Sequence, residues 1–179
     1  MARTFAALCL ALAPALPAAA ADAPPKELHG KSVVVTWSEA RVQRNVGDSD
    51  FRPTYGNQKL SIYVSSAGRV FNRFTNMTRA GSGSTEQVAG SDGANRVPTF
   101  GARSVDMLMP FAAGGARHVK VEFSSAFGDC SAKVSYEAPP GGRPSRGFSP
   151  ITKRWIEFQS IAPLDPKCEL QDGNVFGEN

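Results

Sequence analysis

Four side chains between residues 63 and 73 display the most evident chemistry in this sequence. Tyr63, Arg69, Phe71 and Arg73 fall on one face of an alternating stretch, QKLSIYVSSAGRVFNRFTN, from Gln58 to Asn76. Aromatic rings beside guanidinium groups can stack on sugars, bases or acidic polymers. The same residues also have a purely structural use: Tyr63 opposite Phe71 is a favourable cross-strand pair, worth up to about 1 kcal/mol. The remaining inventory is thin. His29 and His118 are the only histidines, and neither stands in a local Ser-His-Asp arrangement, although triads do assemble from distant segments. The carboxylates are scattered singly, with no acid–base pair. Cys130, Cys168, His29 and His118 lack the local spacing of a metal site. The Gly/Ser-rich stretch from Arg79 to Asn95 is not followed by Gly-Lys-Ser/Thr and contains no G-x-S-x-G turn. No catalytic residue, metal or cofactor is therefore expected.

The element that positions the four residues is a hairpin. A loop of Ser66, Ala67 and Gly68 suits a type I turn closed by a G1 bulge, with Gly68 in the left-handed region. That loop sets Val64 opposite Val70, Ile62 opposite Asn72 and Leu60 opposite Phe74. The aliphatic face then points to a core with Asn72 as its one polar member, and Tyr63, Arg69, Phe71 and Arg73 point away. A two-residue loop would pair Ile62 with Arg73 and mix the faces.

Further strands read the same way. Val33, Val35 and Trp37 alternate in KSVVVTW, and the pattern continues through Ala40, Val42 and Arg44 as one long, bent strand. Asn45 to Asn57 is turn chemistry. Arg79 to Asn95 reads as a loose surface loop, with an edge strand conceivable over Thr85 to Val88 and Val88 as its core anchor. A second hairpin spans Arg103 to Ser124. A loop of Ala113, Gly114 and Gly115 pairs Met109 with Val119, Met107 with Val121 and Val105 with Phe123, and sets Pro110 against His118. Cys130, Ala132, Val134 and Tyr136 face inward from the next strand, and the Pro/Gly stretch Ala138 to Gly147 ends it. Thr152 to Ala162 and Lys167 to Leu170 read as two final strands. About eight antiparallel strands without a helix predict an all-β fold. Up-and-down order favours barrel-like closure, with a β-sandwich as the alternative.

The chain has 179 residues and a formal net charge of +4. Met1-Ala2-Arg3, an apolar run from Phe5 to Leu16 and small residues to Ala21 read as a signal peptide over 1–21. Pro14 and Pro17 and the shortness of the run argue against a membrane anchor. Residues 22–179 then form a single all-β domain with a short Pro-rich lead and a mobile C-terminal tail held only by Val175 and Phe176. No other stretch is long and apolar enough to span a membrane. Between Lys26 and Arg79 there are nine Lys or Arg against four Asp or Glu, a mild local excess of positive charge. With Cys9 inside the leader, Cys130 and Cys168 remain, and in an oxidising compartment they are expected to pair.

The segments LHGKSVVVTW, LSIYVSSAGRVFNRFTN, FGDCSAKVSY and FSPITKRWIEF resemble a group of small exported proteins of alphaproteobacterial type that have no assigned function. The resemblance implies an exported bacterial protein and carries no catalytic or binding residues. Lipocalins offer a fold-level analogy only, since their G-x-W opening is not reproduced between Gly30 and Trp37. The expected function is non-catalytic binding in the cell envelope or outside it. The alternative is a structural or adhesive module on anionic envelope polymer, and a hydrolase ranks third. The expected partner is a small ligand or an anionic or glycan polymer. Nucleic acid is not expected, and the oligomeric state stays open.

Overall fold

The computed structural model describes residues 23–78, 81–88, 98–111, 114–149 and 152–176, without side chains at 77–78 and 81–88. The leader assigned to 1–21 lies outside the described residues, as do the linking stretch 89–95, Ala113 of the second hairpin loop, the side chain of Val88 and the end of the tail at 177–179.

The fold is all-β, and the described residues form ten strands. β1 (Lys31–Asn45), β2 (Arg52–Val64), β3 (Val70–Thr78) and β4 (Gly81–Val88) form an antiparallel meander. β5 (Thr99–Gly101), β6 (Ser104–Pro110), β7 (Ala116–Phe123) and β8 (Cys130–Glu137) form a second. β9 (Ser145–Ser149) and β10 (Arg154–Asp172) return to the first sheet, whose order is β4-β3-β2-β1-β10-β9. The barrel-like closure expected from up-and-down order does not occur. β10 takes the edge of β1 opposite β2, and the two sheets remain separate ladders of six and four strands. The described strands take the two-sheet alternative, and the core lies between Val33, Val35, Leu60 and Ile62 of one sheet and Val105, Met107, Val119 and Val121 of the other.

The β2–β3 hairpin has the expected register, from Val64 opposite Val70 to Leu60 opposite Phe74. Gly68 sits at φ +77 and closes the turn by donating to the Ser65 carbonyl at 2.9 Å. Asn72 is buried on the core face as predicted. The second hairpin corrects the reading. Met109 pairs with Arg117, Met107 with Val119, Val105 with Val121 and Pro110 with Ala116. The loop runs from Phe111 to Gly115, closed by Phe111 N–H on the Gly115 carbonyl at 3.0 Å. Gly115 fits because φ is +77 and an added Cβ would lie 2.6 Å from the Glu137 carbonyl oxygen. The slip is two residues, an even number, so every side chain keeps the face assigned to it.

Three further differences follow from tolerated irregularities. The second part of the supposed turn between Asn45 and Asn57, from Arg52 on, is the start of β2. The Pro/Gly stretch after β8 ends in edge strand β9, paired to β10. The two supposed C-terminal strands are one. β10 carries Asp165 and Pro166 where the register with β1 shifts, Thr36 pairing with Lys167 and Ser38 with Leu164. A bulge accommodates a proline that a regular ladder would not. The outer face at Trp155 is open: Trp155 is 47% exposed and meets Phe148 edge-on, with centroids 5.7 Å apart.

Cys130 of β8 and Cys168 of β10 form the disulfide, with Cα atoms 5.6 Å apart. It ties the small sheet to the large one where no ladder does. After β10, Gly173 N–H donates to the Gly30 carbonyl at 2.7 Å and Val175 N–H to Ser32 Oγ at 3.3 Å. Phe176 is buried.

Candidate functional site

One end of the core is polar. Along β1 the inward positions run Val33, Val35, Trp37, Glu39, Arg41, because the register with β2 is unbroken. The sequence reading let the apolar alternation pass to Ala40 and Val42. That would have needed a change of face, and none occurs. Glu39 is 0% exposed and Arg41 6%. From the other sheet, Arg117 begins the inward face of β7 that Val119 and Val121 continue, and it is 7% exposed.

The three charges meet. Arg41 Nε and Nη2 both lie 2.6 Å from Glu39 Oε2, and Arg117 Nε and Nη2 lie 3.0 and 2.9 Å from Oε1. Trp37 Nε1 donates to Oε1 at 3.0 Å, and the Tyr136 hydroxyl donates to the same oxygen. Arg41 Nη2 also reaches Asn76 Oδ1 at 3.2 Å, which accepts from Gln58 Nε2 at 3.0 Å. Four rings surround the Arg117 guanidinium: Phe74 at 4.7 Å, Phe111 and Tyr136 at 5.3 Å and Trp37 at 6.0 Å. Such contacts strengthen when desolvated.

Burial raises the Glu39 pKa, but Arg117 and Arg41 outweigh it, and the carboxyl titrates below its ordinary value of 4.5. Burial pushes the Tyr136 hydroxyl up to about 12, with Arg117 opposing and Glu39 reinforcing the shift. Tyr136 therefore stays a donor and Glu39 an acceptor. The signs set a stability plateau. A depressed folded-state carboxyl pKa contributes stability that is complete above the unfolded value and lost as pH falls below about 4.5. A raised tyrosine contributes stability that is complete below pH 10 and lost toward about 12. Urea midpoints should fall on both sides of that plateau. Glu39→Gln should flatten the acid limb and Tyr136→Phe the alkaline one; unchanged limbs in both variants would refute the assignment.

A groove of about 370 Å³ opens onto this cluster. Arg41, Arg117, Gln43, Asn76, Ser149 and Thr152 supply its polar lining, and Phe74, Phe111, Phe148, Ile156 and Phe158 its walls. Phe111 and Phe158 are 6.0 Å apart and also line a neighbouring cavity of about 300 Å³ beside Tyr136 and Ser145. A cleft of about 410 Å³ at the β1–β2 turn has polar lining residues only, among them Asp48, Ser49 and Arg52. The first groove combines apolar walls with convergent charge, the usual make-up of a small-molecule site.

The residues singled out in the sequence lie elsewhere. Tyr63 stacks on Phe71 at 6.1 Å, and Arg69 lies over Phe71 at 5.4 Å on the outer face of β2 and β3. Arg73 packs on the Phe176 ring at 4.9 Å and donates to its carbonyl at 2.7 Å, and Phe176 meets Tyr63 edge-on at 6.4 Å. All four are brought together, with the chain's own Phe176 laid across part of their face. His29 Nδ1 lies 3.3 Å from the Ser66 carbonyl oxygen, and His118 Nε2 lies 3.0 Å from Asp106 Oδ1. Among the described residues, no group of three or more His, Cys, Asp or Glu could hold a metal. The signal that could have revealed the groove is strict parity, which places Glu39, Arg41 and Arg117 inside.

Comparisons with family models, with curated proteins and with solved structures returned no match.

Proposed function

We propose that this protein is an exported, non-catalytic binding protein whose small ligand occupies the groove between the β6–β7 hairpin and the β9 edge. The observation that carries the reading is the groove itself, aromatic-walled and floored by buried charge. Its volume of about 370 Å³ falls within the range of about 300–1,000 Å³ usual for small-molecule sites. Export accords with the disulfide, since such bonds persist in oxidising compartments. No helix among the described residues is long and apolar enough to cross a membrane, which says nothing of a barrel. The resemblance to small exported proteins of alphaproteobacterial type belongs to the same proposal.

The test uses phenylnaphthylamine, a neutral apolar fluorophore. Saturable binding at one site is expected. Gly147 lines the groove, and a Cβ there would lie 3.4 Å from the Phe158 ring, so Gly147→Leu should fill the groove and abolish binding without altering the circular dichroism. Equal binding by both proteins would remove the groove from the proposal. A second reading, adhesion to an anionic or glycan polymer through Tyr63, Arg69, Phe71 and Arg73, draws on the exposed Arg69 beside its aromatic pair. In that case polymer binding weakens with salt and with Arg69→Ser while Gly147→Leu leaves it intact.

A further inference from the structure

The charges beneath the groove do not balance. Glu39 contributes one negative charge, and Arg41 and Arg117 contribute two positive ones, so the trio carries a formal +1 in a place where all three residues are buried. Arginine is never deprotonated in proteins. A buried charge without a partner is costly. Trp37, Tyr136, Asn76 and Gln58 are neutral at neutral pH and do not supply the missing negative charge. The donors do not balance either. Each guanidinium offers five N–H bonds. Arg41 uses Nε and Nη2, on Glu39 and Asn76, and Arg117 uses Nε and Nη2, on Glu39 and Tyr136. Among the described residues no acceptor takes the Nη1 group of either arginine, and both arginines line the groove.

We propose that the groove takes an organic monoanion, a carboxylate carried on an apolar body, with the carboxylate on Arg41 and Arg117 and the body against Phe74, Phe111, Phe148 and Phe158. This rests on the binding reading above and names its ligand class. One carboxylate brings the cluster to neutrality, and its planar pair of oxygens suits guanidinium donors. A cation is disfavoured because the aromatic cage that would hold it is already filled by Arg117. A dianion such as phosphate overshoots the charge and leaves the apolar walls unused.

The body could be a ring or a chain, so the test has two arms: naphthylacetate against naphthylethanol, and decanoate against decanol. Calorimetry on the wild-type protein should show each acid binding roughly ten- to a hundredfold more tightly than its alcohol, the yield of a charge-assisted contact over a neutral one. The arm with the tighter acid tells ring from chain, and either preference supports the anion. Arg41→Gln should close most of the gap between each acid and its alcohol; if that variant does not fold, the wild-type comparison still decides. Acids and alcohols binding equally would overturn the carboxylate assignment and leave the groove reading standing. Failure of all four ligands and of phenylnaphthylamine would overturn both.

Discussion

Glu39→Gln is expected to lower the unfolding free energy by about 3–5 kcal/mol, the usual cost of breaking a buried ion pair from one side. Glutamine has nearly the same shape, so packing against Trp37 and Tyr136 survives and the loss isolates the charge. What remains is two buried guanidinium groups facing each other's charge with the shared carboxylate gone. Urea unfolding followed by circular dichroism measures it, with an unchanged m-value as the sign that the same surface is exposed. A loss under about 1 kcal/mol would show that water reaches the cluster and screens it, as at exposed pairs. A bound carboxylate should raise the stability of the wild-type protein, since ligands that bind only the folded state stabilise it.

The second large effect concerns Cys130 and Cys168. They are 38 residues apart in sequence, and closing a loop of that size stabilises the fold by about 4 kcal/mol in the chain-entropy account. The double replacement Cys130→Ser, Cys168→Ser should therefore unfold at a much lower urea concentration. The loss should match that of the wild type under reducing conditions, because both open the same loop. Intact mass after alkylation of the native protein, with and without reductant, confirms which cysteines are bonded. A double variant as stable as the oxidised parent would mean that β8 is held against β10 by packing alone.

How much of this was legible depends on the distance over which each feature is encoded. The β2–β3 hairpin is local: Gly68 sets the turn, and the alternation on either side admits one register. The β6–β7 hairpin has Gly114 and Gly115 in succession, both at positive φ. Two glycines permit more than one loop, so the faces could be read and the register could not. Glu39 and Arg41 were hidden because a charged side chain on an inward position is against expectation. The partner that completes the site is Arg117, 78 residues from Glu39. No local pattern ties the two together. The disulfide was legible for the opposite reason, since only two cysteines remain once the predicted leader is set aside.

The pairing of β1 with β10 has a kinetic consequence. The first and last described strands are neighbours, and Ser32 and Gly173 hydrogen-bond across 141 residues. Contacts of such separation must pay loop-closure entropy before they return any energy, which slows folding. Until β10 has been synthesised, β1 offers an open edge to any other extended chain. The nascent polypeptide therefore stays pliable, and in need of protection from aggregation, until β10 is available to pair with β1.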